Sequence, residues 1–519
     1  MASILKTFPP SLLSMVLVVA SASAQTSTYT TLMQDVLIEA DLWSPRAEIM
    51  SANLGFEGII GVPNGDQESP ARAAGGTWET VTCSDPTTRA LTTVQTPSAT
   101  ASTYGYPVFF ADALPIVFSW PMLPSTVQPT DFMLTLNDGT TVFPEVASIT
   151  PNFEYNERHI AVVFGQFANR ELPTAPGAVF PRTITIVNDG TPLMLVGPNG
   201  PVSAVGLTYT MPDSAHPYVN GPYLLGAKLS TLRDIGESAP AFLTGTLPND
   251  GIALYGDEGQ YRLRIFYTGG FSPDGVRSIY PTDFATFFRI QATDSGGNTI
   301  LITETNVEYP IDGGTVELLG LADLGPAQSS YDDCYIEDHD NYIDVILKGD
   351  EAAVRKLTAV ELPSAGAYSP VYTPGGPGNN PTPGVTYTSP SQPGIIGITI
   401  ALDDPMTVSY SPETGFGPQP APTATPAPTP DPAPEITVKG RTSRKVHRAR
   451  TIVRGTANIA IGTIEYRINN RRIQSTPIYD RRWSFQARNL KAGQNTLRTR
   501  TVDESDRSSA WTRTQITRR

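Results

Sequence analysis

The chain has little of what enzyme chemistry and metal capture usually need. Its 519 residues include two cysteines and four histidines, His159, His216, His339 and His447. That leaves no Cys/His zinc pattern and no C-x-x-C redox pair. There is no G-x-S-x-G elbow, no H-E-x-x-H and no G-x-x-x-x-G-K phosphate loop. Charged residues make up 17% of the chain, against the roughly 25% usual in globular proteins. Its longest apolar run, Leu12 to Ala20, falls well short of the roughly 20 residues of a spanning helix.

That run has a different use. Lys6 supplies a short basic leader, the apolar stretch follows, and Ala22-Ser23-Ala24 fits a cleavage site before Gln25. Residues 1–24 therefore read as a signal peptide, and the mature chain as secreted, extracellular or cell-surface, without a transmembrane helix. Export places Cys83 and Cys334 in an oxidising compartment. Pairing across the long loop between them and two buried free thiols both stay open.

What is abundant is Pro, Gly, Thr and Ser. Gly417 to Pro434, GPQPAPTATPAPTPDPAP, cannot join a helix or a sheet ladder. It is expected to run as a polyproline II spacer of roughly 50 Å. Charge divides at this spacer. Residues 435–519 hold 20 Lys+Arg and 6 Asp+Glu, a net of +14, so with −14 for the whole chain residues 1–434 carry −28. An acidic body repels nucleic acid, and no specific nucleic-acid partner is expected. A basic tail attracts acidic polysaccharide or another cell-envelope polymer.

Short β-branched runs separated by turn signals recur from Pro107 onward, the pattern of a sandwich or barrel. Phe132 to Leu136, Asn137-Asp138-Gly139-Thr140 and Thr141 to Phe143 form a hairpin signal. Ile160 to Phe164, Thr183 to Val187, Tyr261 to Tyr267, Phe287 to Thr293, Asn341 to Leu347 and Ile395 to Leu402 continue the series. Thr30 to Trp43 carries the best helical face, through Leu32, Val36, Leu37 and Leu42.

Two stretches resemble known modules. Ile116 to Phe164, through Pro129-Thr130-Asp131-Phe132, Leu136-Asn137-Asp138-Gly139 and Val162-Val163-Phe164, resembles a recurrent bacterial immunoglobulin-like pattern. Residues 435–519 resemble the immunoglobulin-like or fibronectin-type-III-like modules of exported proteins. The matching pieces are Val453-Arg454-Gly455-Thr456-Ala457, Ile464 to Asn469, Trp483-Ser484-Phe485, Leu490 to Leu497 and Arg500 to Asp503. The resemblance implies one sandwich of about seven strands with Trp483 in its core. The expected fold class is all-β: multidomain immunoglobulin-like β-sandwiches, a Pro-rich linker and a short N-terminal helix. The expected divisions are 25–102, 103–215, 216–416, the linker 417–434 and the basic module 435–519.

Three groups of residues carry candidate chemistry. Asp332, Asp333, Glu337, Asp338, Asp340 and Asp344 crowd hard oxygen ligands at a strand entry and suit Ca²⁺, although not at EF-hand spacing. A solvated acidic turn is the alternative. Apart from Ca²⁺, no cofactor is called for. Arg441, Arg444, Arg448, Arg450, Arg471, Arg472, Arg481 and Arg482 are candidates for a polyanion-binding face, or for a solvated strand face that blocks edge pairing. Tyr368, Tyr372 and Tyr387 lie in a Pro/Gly strap where rings can stack on sugars. The sequence points to a binding or adhesion protein with a basic docking module. An exported carbohydrate-active enzyme with an accessory domain and a structural envelope protein are the other readings.

Overall fold

The computed structural model describes residues 32–52, 59–169, 171, 174–211, 222–233, 235–237, 251–270, 272–338, 340–363, 372–374, 388–390, 393–417, 436–438, 443–446, 449–458, 461–469, 471–479, 482–502 and 508–519. The signal peptide, nearly all of the Pro-rich linker, Tyr368, Tyr387, His216, His339, His447, Arg441, Arg448 and Arg481 lie outside the described residues. The chain divides into two compact units, 1–419 and 420–519. Among the described residues no helix is long and apolar enough to cross a membrane.

The first unit begins with a sandwich. One sheet has the order Val146–Ser148, Ile160–Gly165, Asp112–Phe118, Ile49–Ala52. The other runs Thr208–Thr210, Pro181–Ile186, Phe132–Leu136, Thr141–Val142. Alternation decides which side chains meet: Phe132, Leu134, Ile184 and Ile186 pack against Leu114, Ile116, Phe118, Ala161 and Val163. Leu134 pairs with Val142 and Thr135 with Thr141, which closes the Asn-Asp-Gly hairpin. Gly139 takes φ +85°, a conformation that costs a side-chain-bearing residue strain.

Ile160 to Phe164 is buried at every position. Ile160, Val162 and Phe164 face away from the sandwich core and pack with Val117, Phe266 and Tyr342. A strand buried on both faces reads as a continuous apolar run, and here it marks where a second sheet docks.

That second sheet has nine strands in the order Thr299–Ile302, Arg289–Thr293, Leu357–Leu362, Gly394–Ile400, Leu224–Thr231, Tyr261–Tyr267, Tyr342–Gly349, Gly314–Ala322, Glu308–Ile311. Leu224–Thr231 runs parallel to Gly394–Ile400, and its other neighbour, Tyr261–Tyr267, is antiparallel. One face holds the largest core, where Leu229, Leu263, Ile265, Val345 and Leu347 meet Phe284, Phe287 and Phe288. The other face, toward the sandwich, is charged.

The N-terminal segment differs from the helix expected over Thr30–Trp43. Leu37–Asp41 is a strand, antiparallel to Thr407–Ser411 with Leu37 opposite Tyr410 and Ala40 opposite Val408. A partner about 370 residues away overrides the local helical face. Helices of this segment lie at Glu68–Ala73 and Pro97–Tyr104. The second has Thr96 Oγ1 accepting from the amide of Ala99, Pro97 in the first turn and Gly105 at φ +82° after its end, a complete set of start and stop signals. The sandwich also takes Ile49–Ala52 from before residue 103, so the segments 25–102, 103–215 and 216–416 interlock within one unit.

Cys83 and Cys334 form a disulfide. It ties the hairpin Trp78–Thr82/Thr88–Thr92 to the turn ahead of Tyr342, where Arg89 Nη1 also donates to the Cys334 carbonyl (3.0 Å).

Asp131, at the end of the short turn Pro129–Asp131, is buried and accepts from the Gln128 amide at 2.8 Å. Burial pushes its carboxyl up to about 6, the Gln128 amide opposes this, and Asp189 adds to it. The folded pKa lies above the unfolded value of 3.8. Its contribution to stability is therefore full below pH about 4 and is lost as pH rises through about 6. Asp131→Asn is expected to gain about 1–3 kcal/mol relative to the parent between pH 4 and pH 7. Urea midpoints of both proteins across that range check it, and parallel curves would refute it.

The second unit is a sandwich in which the pairings run Ile436–Val438, Thr451–Ala457, Arg482–Ala487, Gln474–Tyr479, Ile461–Ile468, Gly493–Val502, Thr512–Arg518, Ser443–Val446. Gln474–Tyr479 and Arg482–Ala487 share a single ladder pair, Tyr479 with Arg482, so the sheet folds into two layers there. Ser443–Val446 lies parallel to the last strand. This is the immunoglobulin-like order. Trp483 sits in the core with Val453, Tyr466, Phe485, Leu497 and Ile516. A Cβ on Gly455 would collide with the Thr437 carbonyl and the Trp483 ring, so glycine there makes room for the neighbouring strand and the indole.

Candidate functional site

The charged face of the nine-stranded sheet follows from register. Lys228 lies opposite Arg264, Arg264 opposite Asp344, and Asp344 opposite Ala322, which precedes Asp323. Strand alternation sends Leu229, Leu263, Ile265 and Val345 to the apolar core and these residues to the other side.

Arg264 is the hub and is fully buried. Its Nε donates to Asp344 Oδ1 at 2.9 Å. Its Nη2 lies 3.1 Å from Asp344 Oδ2, 3.1 Å from Asp323 Oδ2, 3.2 Å from Glu237 Oε2 and 3.0 Å from Glu157 Oε1. Nη1 is 3.6 Å from Asp41 Oδ2. Arg262 pairs with Glu237, and Lys228 with Asp41. The Lys228 ammonium also donates to the carbonyls of Pro405 (3.0 Å) and Met406 (3.2 Å). The Tyr342 ring lies 5.1 Å from the Arg264 guanidinium. The Tyr342 hydroxyl meets His159 Nδ1 at 2.6 Å, and His159 Nε2 meets the Asp41 carbonyl at 2.6 Å.

Seven buried carboxylates (Asp41, Glu154, Glu157, Glu237, Asp323, Asp340, Asp344) face four buried cations (Arg158, Lys228, Arg262, Arg264). Burial raises the Asp41 carboxyl, but Lys228, Arg264 and Arg262 overcome it and hold it at about 2. Burial opposes the charge of Arg264, yet Asp344, Glu237, Asp323 and Glu157 hold its pKa well above the usual range. The surplus of anions shows at the edges of the network. Burial, then Glu157 and Asp338, push Glu154 well up. Burial and Glu157 do the same to Asp323 and Asp340. His159, lowered by burial to about 4, stays neutral.

The six carboxylates singled out from sequence fall in separate places. Asp332 accepts from the amides of Ser84 (2.6 Å) and Cys334 (2.8 Å) beside the disulfide. Asp333 pairs with Arg277 at 3.1 Å. Glu337 is buried and accepts from the Ile279 amide at 3.0 Å. Asp338 is half-buried, and its Oδ1 lies 3.4 Å from the Asp340 amide. Asp340 and Asp344 belong to the buried network, and half-buried Asp338 lies at its edge, where its charge raises Glu154 and Asp340. Sequence reading missed Asp41, Glu154, Glu157, Glu237, Asp323 and the four cations. The usable signal was the run NFEYNERH from Asn152 to His159, which gathers two glutamates, an arginine and a histidine in one short segment.

On the basic module, Arg471, Arg472 and Arg488 line a concavity of about 500 Å³ together with the amides of Gln474, Gln486 and Asn489. Tyr466 and Ile468 supply its apolar lining. Arg488 Nε donates to Gln486 Oε1 at 2.8 Å. Arg450 is exposed, while Arg444 and Arg482 are described in their backbone alone. Such a set offers planar forks and amides to carboxylate or sulfate groups.

No family model matches the chain, and no curated protein matches it. Among solved structures, the fibronectin(III)-like modules of Clostridium thermocellum CbhA are 14% identical, over 16% of this chain and 96% of theirs, at a TM-score of 0.14. The D00-D0 domain of intimin is 11% identical, over 42% of this chain and 87% of its own, at 0.13. The I9-I11 tandem of titin is 8% identical, over 78% and 92%, at 0.14.

Proposed function

We propose that this is an exported, surface-acting binding or adhesion protein whose basic module docks on an acidic polysaccharide or similar cell-envelope polymer. The observation that carries the reading is the concavity with Arg471, Arg472 and Arg488 on a sandwich of net charge +14. A sandwich core needs none of these arginines, and gathering three around one hollow with amide side chains suits repeated anionic groups. The Cys83–Cys334 disulfide supports an oxidising, extracytoplasmic setting. The acidic body disfavours indiscriminate sticking to polyanions, leaving attraction to the module.

Retention of the full chain on immobilised heparin or polygalacturonate tests the reading. Binding is expected at low salt and should fall steeply as salt screens the charges. Replacing Arg471, Arg472 and Arg488 together with alanine is expected to weaken binding about tenfold or more. Equal retention of parent and variant, or retention indifferent to salt, would refute the docking role.

A further inference from the structure

The segment joining Val146–Ser148 to Ile160–Gly165 is unusual for a connection, because its polar side chains are buried. Asn152, Glu154, Asn156 and Glu157 are each 2% exposed or less. Oxygen-bearing side chains recur at alternate positions 152, 154 and 156, a spacing that lets a curling chain present oxygens to one ion. Among the described residues no donor meets Oδ1 of Asn152 or Asn156, Oε1 of Glu154 or Oε2 of Glu157, and no acceptor meets the Asn152 amide nitrogen, while Glu157 Oε1 lies 3.0 Å from Arg264 Nη2. Buried polar atoms are almost always paired, so four oxygens from one short segment call for a partner.

Glu154, Glu157 and Asp340 bring one carboxylate oxygen each within 4.8 Å of one another. Glu157, Glu237 and Asp323 form a second such trio, but there Arg264 Nη2 stands 3.0–3.2 Å from all three residues. In the first trio Glu157 shares this Arg264 contact, but among the described residues no cation stands at ion-pair distance from Glu154 or Asp340. The neighbouring Arg158 turns its two terminal nitrogens to the carbonyls of Asn152 (3.2 Å) and Phe153 (2.7 Å). Both His159 nitrogens are engaged, with Asp41 and Tyr342.

We propose that Glu154, Glu157 and Asp340 bind one divalent cation, and that the cation is Ca²⁺. The donors are all oxygen, which disfavours zinc. The three carboxylates are buried, which disfavours Mg²⁺ with its retained waters and suits Ca²⁺. Asn152 and Asn156, each two residues from Glu154, supply the unpartnered neutral oxygens nearest in sequence. One Ca²⁺ would offset two of the three surplus negative charges in the network. It would also join the sandwich, through the 152–157 segment, to the nine-stranded sheet, through Asp340 just ahead of Tyr342. The site is distinct from the half-buried acidic turn at Asp332 and Asp333.

The full-length protein, stripped with EGTA, is the material for the test. Calorimetric titration with CaCl₂ alone is expected to show one saturable site per chain with a dissociation constant below 1 mM. Excess Ca²⁺ should raise Tm by about 3–6 °C. Glu154→Gln combined with Asp340→Asn removes charge while keeping shape, so this variant should fold at least as stably as the stripped parent and lose both the site and the Tm increment. A parent whose Tm is the same in Ca²⁺ and EGTA and that takes up no calcium would overturn the proposal, leaving the three carboxyl groups to share protons. A variant that keeps the saturable site would overturn it too, by placing calcium elsewhere.

Discussion

Arg264→Met is expected to destabilise the 1–419 unit by about 4 kcal/mol or more, the largest effect of any single substitution considered. The side chain is fully buried and meets Asp344, Asp323, Glu237 and Glu157 at 2.9–3.2 Å. Methionine keeps much of the volume, so packing loss is small. The cost is electrostatic. Removing one partner of a buried pair leaves an uncompensated charge and typically costs about 3–5 kcal/mol. Here four carboxylates lose their shared partner, and Arg262 and Lys228 are already committed to Glu237 and Asp41. Some carboxylates would respond by taking up protons, which limits the loss but makes it grow with pH. Arg264→Lys should recover part of the stability. An ammonium keeps the charge but cannot hold Asp344 with two parallel bonds while reaching the opposite carboxylates. Thermal and urea unfolding of the full chain, followed by tryptophan fluorescence, check the order parent, lysine variant, methionine variant. A methionine variant within about 1 kcal/mol of the parent would mean that the network is a poorly solvated bystander.

The sequence discloses a structural feature when its cause is local, and hides it when the cause is distant. Phe132, Leu134 and Leu136 alternate with half-buried residues and end in Asn-Asp-Gly, so strand, face and hairpin are all legible. Trp483 in WSF is readable as a core residue of the second sandwich because the strands around it alternate cleanly. Leu37–Asp41 is not readable, since its pairing with Thr407–Ser411 has no trace near either segment. The charged site is the hardest case. Asp41, Glu157, Lys228, Glu237, Arg264, Asp323 and Asp344 come from well-separated parts of the chain, and a charged residue on alternating strands reads by default as facing solvent. Arg262 and Arg264 alternate with Leu263 and Ile265 just as exposed residues would, but the sandwich covers their face. Conversely, the dense run from Asp332 to Asp344 looks like one site and is several, because a turn, a disulfide and a strand start divide it. Local crowding of carboxylates is a weaker guide to a site than burial of single carboxylates drawn from many segments.

Cys83→Ala with Cys334→Ala is expected to lower the stability of the 1–419 unit by about 3–5 kcal/mol. The two cysteines are 251 residues apart, and in the chain-entropy model a loop of that length restricts the unfolded ensemble by about 5 kcal/mol, with measured values usually smaller. A local effect competes with this global one. The hairpin Trp78–Thr82/Thr88–Thr92 has two strands, and an isolated hairpin is marginal. Besides the disulfide it is held near Cys334 by the Arg89 bond, the Ser84–Asp332 bond (2.6 Å) and the Arg277–Glu79 pair (2.7 Å). The last of these is a partly exposed ion pair, worth about 1 kcal/mol or less, so the remaining contacts cannot replace the covalent tie. Two measurements separate the effects. Loss of chain restriction lowers the urea midpoint of the whole unit, and dithiothreitol should shift the parent to the same value. Undocking of the hairpin speeds hydrogen exchange at residues 78–92 under native conditions and leaves the nine-stranded sheet protected. Both are expected, the global shift being the larger because the 251-residue separation acts on the entire unfolded chain. A parent whose midpoint is unmoved by reduction would refute the expectation that the bond stabilises the unit by restricting its unfolded chain.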